Sequence, residues 1–487
     1  MIALIVSLFI ASTMQANIDQ AVKSVREAIP TASADAGRPT FHFHAPADWM
    51  NDPNGPILYK GWYHLFYQHN PYGDTWGNMH WGHARSRDLI NWEHLPPALA
   101  PSKDRGEEHI FSGSTFLNRE GVPQIFYTSI GNRLPEQWSA VPLDDELIRW
   151  AKVPANPILS LEQPDEPHID EWRDPFIFSL NPKLKAQSNP VYMLTGGGID
   201  GKGVVEIYES TDRELSRWKS LGAFFHLPSV RNIECPNLVR VGRDWILLCS
   251  VSGHVEWFLG KIERHRFIAK ANGILAEGSY ASQVVYDERG KPIHLAWVNT
   301  GDRKGWNGFC TLPCTLKVAD GKLLRNPIAA LGNLRGEVRR LSPKLGPAIS
   351  LEPAMSGSHA EYSLVLDPQL AKRISITFKD AGDTSKSVSI TYDSVAGRLR
   401  VGDHAAELNL SSGHKLQLKL YFDGISLEAF ANGGEVTFST LTPFSDRPIT
   451  GELQADQPVR LEKFESYGLR PAQFDLKRFV ASGPTHN

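Results

Sequence analysis

Three carboxyl side chains stand at the heads of similar stretches of this sequence: Asp52 in Trp49-Met50-Asn51-Asp52-Pro53-Asn54-Gly55, Asp174 in Trp172-Arg173-Asp174-Pro175, and Glu234 in Glu234-Cys235-Pro236. Singly, each has an ordinary explanation. An Asp beside Pro and Asn is a turn former, an Arg-Asp neighbour pair is a local ion pair, and Glu-Cys-Pro alone carries almost no signal. Spacing changes the balance. Asp52, Ser112, Asp174 and Glu234 follow one another at intervals of 60, 62 and 60 residues, each just ahead of a strand-turn-strand pattern. A fold that superposes those patterns gathers the carboxyls at one place. Two carboxyls facing one bond suffice for glycosidic hydrolysis, one attacking the anomeric carbon or activating water, the other protonating the departing oxygen.

The elements that must position these residues read as antiparallel hairpins, each a short apolar strand, a polar or glycine turn, and a second strand rich in aromatic or branched residues. They fall at 56–59 with 62–68, 114–117 with 124–128, 176–180 with 191–195, 237–241 with 245–250, and 283–286 with 293–298. The fifth has its own head, Tyr280-Ala281-Ser282, after a shorter interval. Five copies at a long period without helical periodicity predict an all-β fold opening with a five-bladed β-propeller over 41–328, whose strand starts converge on one end of a central channel. A short helical connector is expected at 329–345. Alternating strands at 374–378, 388–392, 416–421, 427–431 and 436–439 then predict a C-terminal β-sandwich over 346–487. That sandwich has no comparable carboxylate cluster, so its expected role is support.

Taken together and in this order, Trp49 to Gly55, Tyr67-Gln68-His69-Asn70-Pro71, Trp76, His80-Trp81-Gly82-His83-Ala84, Phe111-Ser112-Gly113-Ser114, Trp172-Arg173-Asp174-Pro175 and Glu234-Cys235-Pro236 resemble glycoside hydrolase family 32, the invertases, inulinases and levanases. The resemblance continues more loosely through Tyr421-Phe422-Asp423-Gly424 and Leu427-Glu428-Ala429-Phe430. It implies a β-fructofuranosidase that removes terminal fructose from sucrose and short fructo-oligosaccharides by a retaining double displacement. Asp52 would be the nucleophile, Glu234 the acid/base and Asp174 the stabiliser of the cationic transition state. Asn51, Gln68, Trp76, Phe111, Ser112, Arg173 and Trp297 would line the fructose pocket. The sequence departs from the family pattern at Glu277-Gly278-Ser279-Tyr280-Ala281-Ser282-Gln283 and at Leu312-Pro313-Cys314, which bears on the leaving-group side of the pocket. A fructan exo-hydrolase, a fructosyltransferase and a catalytically silent sugar-binding propeller share these motifs and differ in the leaving group, in what reaches the intermediate, or in whether one forms.

Composition excludes other classes. A net charge of -3 leaves no broad basic face for nucleic acid or an anionic membrane. His42, His44, His80 and His83 lack the acidic or cysteine partners of a ligand shell, so neither metal nor cofactor is expected. Phe111-Ser112-Gly113-Ser114 lacks the strand-elbow-helix context of a nucleophilic serine. Four cysteines are too few for a disulfide framework, although a Cys310–Cys314 pair stays open for a secreted protein, which spacing alone does not show. The apolar run at residues 2–11, followed by small and polar residues to Ala16, reads as a signal peptide too short to span a bilayer. Residues 17–40 then either frame the fold or form a leader, and the mature protein is expected outside the cell.

Overall fold

The computed structural model describes residues 2–131, 134–161, 169–180, 189–411 and 413–481, with the helix residues 2–13 described as backbone only. Up to residue 327 the chain forms five consecutive antiparallel sheets, each built on four strands taken in chain order. Their innermost strands are Asp48–Tyr59, Glu107–Leu117, Asp170–Phe178, Glu234–Val241 and Tyr280–Tyr286. Each inner strand lies against the next, and the last returns to the first. This is a propeller, with the expected hairpins at its centre. The turns Lys60-Gly61, Asp200-Gly201, Ser252-Gly253 and Asp320-Gly321 place both central residues at positive φ, the geometry whose twist matches antiparallel strands.

The pairing register departs from the equal spacing of the sequence heads. In every inner strand two residues oppose one on the second strand: Asn51-Asp52 face Gln68, Phe111-Ser112 face Thr128, Asp174-Pro175 face Thr195, Cys235-Pro236 face Cys249, and Ala281-Ser282 face Ala296. A β-bulge thus sits at the same point of all five sheets. Relative to it the carboxyl residues are not equivalent. Asp52 is the second residue of its bulge, Asp174 the first of its own, and Glu234 precedes its own. The first bulge residues, Asn51, Phe111, Asp174 and Cys235, recur at 60, 63 and 61 residues, so the regular intervals in sequence reflect the repeat itself, shifted by these one-residue offsets.

The C-terminal part is one sheet of eleven strands folded over on itself. Its hinge is the 21-residue strand Ile449–Leu469, which pairs along different stretches with Arg335–Leu341, Lys344–Ser350, His359–Asp367 and Arg373–Asp380. Between the two layers Tyr362, Phe378, Phe422, Phe438 and Phe464 are buried, giving a sandwich-like core. The connector is shorter than expected: a 3-10 helix at Ala329–Leu334 leads directly into Arg335–Leu341, already a strand of this sheet. The chain end also departs from the sandwich, since Phe474–Asp475 pairs with Trp92–Leu99 at the rim of the first propeller sheet.

Residues 17–33 are not a detached leader. They belong to a helix spanning Ile2–Ser33, and Ile18, Val22, Val25 and Ala32 are buried against Phe66, Trp81, Trp138 and Trp150. Burying one such valine or isoleucine contributes about 1.5–3 kcal/mol, which explains why a stretch of mixed polarity holds to the propeller surface. The four cysteines are buried free thiols, so Cys310 and Cys314 do not pair. The histidines have other partners: His42 Nδ1 meets Asp423 at 2.8 Å and its Nε2 meets Glu428 at 3.1 Å, while His83 meets His64 at 3.0 Å.

Candidate active site

The bulges explain how the carboxyls converge. An ordinary strand turns successive side chains to opposite faces, whereas an extra residue re-aims one of them toward the channel. Asp174 and Cys235, first in their bulges, have φ of 62° and 47°, and each is followed by a proline that needs no ladder partner for an N–H. Three sheets therefore deliver their carboxyls to one mouth from three different bulge positions.

Asp52 accepts a 2.5 Å hydrogen bond from Ser112 Oγ and a 2.9 Å bond from Asn51 Nδ2, and Asn51 Oδ1 in turn accepts from Trp49 Nε1 at 2.7 Å. Burial raises the Asp52 pKa, as does the neighbouring charge of Glu234, while the Ser112 and Asn51 donors and Arg173 oppose the rise. Asp174 is 5% exposed. Burial pushes its pKa up to about 7 against the pull of Arg173, with Glu234 and Asp52 adding to the rise and the Cys235 N–H, 2.8 Å from Oδ2, opposing it. The Cys235 thiol lies 3.5 Å from Asp174 Oδ2 and 3.8 Å from Asp52 Oδ2. Burial first, and then these carboxylates, hold it well above the usual thiol range, so it stands between them as a neutral donor. Arg173 ties the group together, with Nη2 2.8 Å from Glu234 Oε1, Nη1 2.8 Å from Glu171 Oε2 and Nε 3.8 Å from Asp174 Oδ2.

The other residues expected at the pocket fall around this centre. With its amide oriented to satisfy both neighbours, Asn54 accepts from Gln68 Nε2 at 3.1 Å and donates to Ser112 Oγ at 3.3 Å, linking Gln68 to Asp52 through Ser112. Trp76 is 51% exposed and meets Phe111 edge-on at 6.0 Å. Trp297 packs on Trp49 at 5.8 Å. All ten predicted residues thus belong to one connected neighbourhood.

Sequence reasoning missed four further contributors. Asn232 donates to Glu234 Oε1 at 3.2 Å and to Glu171 Oε2 at 3.3 Å. Thr128 Oγ1 accepts the Asp174 N–H at 2.9 Å. Tyr280 stands near Glu234, and its hydroxyl is held neutral first by burial and then by the charge of that carboxylate. The strand-head position of Tyr280 was a usable signal, since it matches Glu234 in bulge register; Asn232, Glu171 and Thr128 carried none.

Tyr280 and Trp297 also line a cleft of about 520 Å3 against the C-terminal sheet, where Asp403, His404 and Ser439 form its other wall. Its lining, among the described residues, contains neither Lys nor Arg.

The model of the glycosyl hydrolases family 32 N-terminal domain matches residues 42–327, and that of the family 32 C-terminal domain matches residues 334–451. The second match begins where the structure starts the C-terminal sheet. A sucrose-6-phosphate hydrolase of Escherichia coli is 28% identical over 443 residues, 82% of this chain and 88% of that protein. A protein of the same description from Zymomonas mobilis is 31% identical over 368 residues, 68% of each chain. The solved structure of a Bombyx mori GH32 beta-fructofuranosidase superposes with a TM-score of 0.77 at 27% identity, covering 96% of this chain and 99% of that one.

Proposed function

The chain belongs to glycoside hydrolase family 32, and from that membership we propose that it is a β-fructofuranosidase acting on unphosphorylated sucrose with retention of configuration. The observation that carries the choice of free sucrose over its 6-phosphate is the cleft lined by Tyr280 and Trp297. A phosphate dianion is recognised by Arg or Lys. Here the described lining offers neither, and presents the carboxylate of Asp403 instead.

On this reading Asp52, held by Ser112 and Asn51, attacks the anomeric C2 of the fructosyl unit. Glu234 gives its proton to the glycosidic oxygen, glucose departs, and Glu234 then takes a proton from water as that water attacks the covalent fructosyl-enzyme. Direct attack requires the Asp52 and Glu234 carboxyls to stand roughly 5–5.5 Å apart. Asp174 accepts hydrogen bonds from sugar hydroxyls and opposes the oxocarbenium charge without bonding to carbon. Trp76, Phe111 and Trp297 supply the apolar walls.

Incubation with sucrose, sucrose 6-phosphate, raffinose, inulin and levan tests the proposal. We expect equimolar glucose and fructose from sucrose, and a kcat/KM at least tenfold above that for the phosphorylated sugar. The reverse preference overturns the choice of substrate, and fructosylated oligosaccharides in place of free fructose overturn hydrolysis in favour of transfer.

We also read all five sheets as blades of one propeller, because the ring of inner strands closes only when the fifth is included. The apolar run at residues 2–11 we read as an export signal. Among the described side chains of the helix, cleavage after Ala16 gives up only Met14 from the buried face. A secreted product whose first residue is Asn17 is expected, and an intact amino terminus on protein retained in the cell refutes it.

A further inference from the structure

The tail of the N-terminal helix reaches the strand of Asp52 through a single loop, between Val298 and Phe309. Gly305 and Gly308 of that loop have φ of 79° and 84°, so its backbone has little preference of its own and takes its course from what it touches. On the outer side Asp35, just past the end of the helix, accepts the Gly37 N–H on Oδ1 at 2.8 Å and the indole N–H of Trp306 on Oδ2 at 3.0 Å, with Arg303 Nη1 3.6 Å from the same Oδ2. A Cβ on Gly305 would come within 2.9 Å of Thr31 Cγ2 and 3.0 Å of the Ala32 nitrogen. Helix and loop are therefore in direct contact. On the inner side Trp306 and Asn307 pair in parallel with Asp48 and Trp49, and Asp48 N donates to Gly305 O at 2.8 Å. A Cβ on Gly308 would fall 2.1 Å from Met50 O and 2.6 Å from Trp297 Nε1. Gly305 N also donates to Asp74 Oδ2 at 2.7 Å, two residues ahead of Trp76.

We propose that Asp35 is a positioning residue for the attack of Asp52: by fixing Trp306 it holds the loop that sets Trp49 and Trp297, and through Trp49 it places Asn51 and the nucleophilic carboxylate. The inference rests on the fructosidase reading and extends it to a segment outside the propeller. Trp49 Nε1 donates to Asn51 Oδ1 and Asn51 Nδ2 donates to Asp52 Oδ1, so a shift of Trp49 is passed to the nucleophile by two consecutive hydrogen bonds. Trp297 packs on Trp49, and the pocket wall moves with it. The role demands a carboxylate. Asp35 receives donors on both oxygens, whereas an asparagine offers one acceptor and turns an NH2 group toward the other donor. Trp306 is 1% exposed, so an indole N–H refused by residue 35 has no water to turn to, and relief comes only by moving the loop. Asp35 itself lies near the surface, its side chain 24% exposed, where the core does not depend on its volume.

The test measures kcat and KM for sucrose, well below each protein's thermal midpoint, in the full chain and in Asp35→Asn, Trp306→Phe, the double variant and Val22→Ala. A displacement of about 1 Å at the reacting atoms costs roughly a hundredfold. For the smaller shift expected here kcat should fall about tenfold in Asp35→Asn and about threefold in Trp306→Phe, with most of the loss in kcat rather than KM. Phenylalanine has no N–H to be refused, so adding Trp306→Phe to Asp35→Asn is expected to restore part of the lost kcat, a rescue that general destabilisation does not produce. Val22→Ala loosens the buried face of the same helix without touching its tail, and is expected to lower the midpoint and keep kcat. A folded Asp35→Asn with the kcat of the unaltered chain overturns the proposal, as does a folded Trp306→Phe with that kcat where Asp35→Asn does not fold. An equal fall in Val22→Ala, or a double variant slower than Asp35→Asn, overturns it too. Absence of fructose release from sucrose by the unaltered chain instead overturns the underlying fructosidase reading.

Discussion

Asp174 is a carboxyl group kept where it is uncomfortable, and replacing it with asparagine should stabilise the protein while disabling it. Asn keeps the shape and still accepts the Cys235 N–H that now reaches Oδ2 at 2.8 Å. It removes a charge whose burial, close to Glu234 and Asp52, outweighs the help of Arg173 and lifts the pKa from 3.8 to about 7. Between those two values the folded protein holds a proton that the unfolded chain has released. Stability contributed by this group is therefore complete below pH 3.8 and declines as pH rises through 7. At about 1.4 kcal/mol for each tenfold change in proton affinity, the wild-type chain gives up on the order of 4 kcal/mol by pH 8, and Asp174→Asn gives up none of it. Thermal midpoints of both proteins at pH 4.5 and pH 8 measure this directly. The variant should gain several degrees at pH 8 relative to its position at pH 4.5, since 1 kcal/mol moves the midpoint of a domain of this size by about 2–4 °C. Its turnover of sucrose should fall by at least a hundredfold as transition-state stabilisation is lost. A variant that is equally displaced at both pH values, or less stable than wild type at pH 8, refutes the assignment of Asp174 as a strained buried carboxylate.

Glu234→Gln should cost about 10²–10⁴-fold on sucrose and far less on an activated fructosyl fluoride; equal losses on both count against its role as acid. Ser112→Ala removes the 2.5 Å donor that opposes the raised pKa of Asp52, so the acid limb of the kcat/KM profile should move to higher pH, with a rate loss of about tenfold or more. Glu428→Gln should destabilise the chain by about 3–5 kcal/mol in chemical denaturation. It removes the charge facing Arg325 at 3.2 Å, and both residues are fully buried. The same substitution weakens a second device: burial opposes protonation of His42, but Asp423 and Glu428 prevail and raise its pKa to about 9. That contribution is present below pH 6.5 and lost as pH rises through 9. Val25→Asp, placing a carboxylate in the wholly buried face of the N-terminal helix, should lower the melting temperature by many degrees if this helix belongs to the fold, and leave it unmoved if the segment is dispensable.

The residue types at the site were legible because catalysis limits which side chains can serve. Asp52, Asp174, Glu234, Arg173 and Ser112 sit inside short local patterns, and the hairpins that carry them alternate in a way a single strand pair can enforce. The inner edges of the five hairpins were legible for the same reason. Their outer starts were not, because the residues ahead of each pattern mix polar and aromatic types without alternation and pair only once a bulge admits an extra residue. The N-terminal helix was left open for a different cause: Ile18, Ala21, Val22 and Val25 recur at helical spacing, but only the tertiary structure supplies the tryptophans that this face covers.

Sequence alone settled the chemistry on offer, the antiparallel hairpins and the family resemblance, since these depend on residue type and on neighbours a few positions away. Only the tertiary structure decided that the carboxyls occupy three different bulge positions, that the thiol of Cys235 stands between two of them, and that Asp423 and Glu428 pair with His42 and Arg325 across the two parts of the chain. Only it placed Asp403 and His404 beside a cleft that Tyr280 also lines. Contacts between residues more than a hundred positions apart are fixed by how sheets pack, and packing free energy is spread over whole surfaces that no local stretch of sequence records.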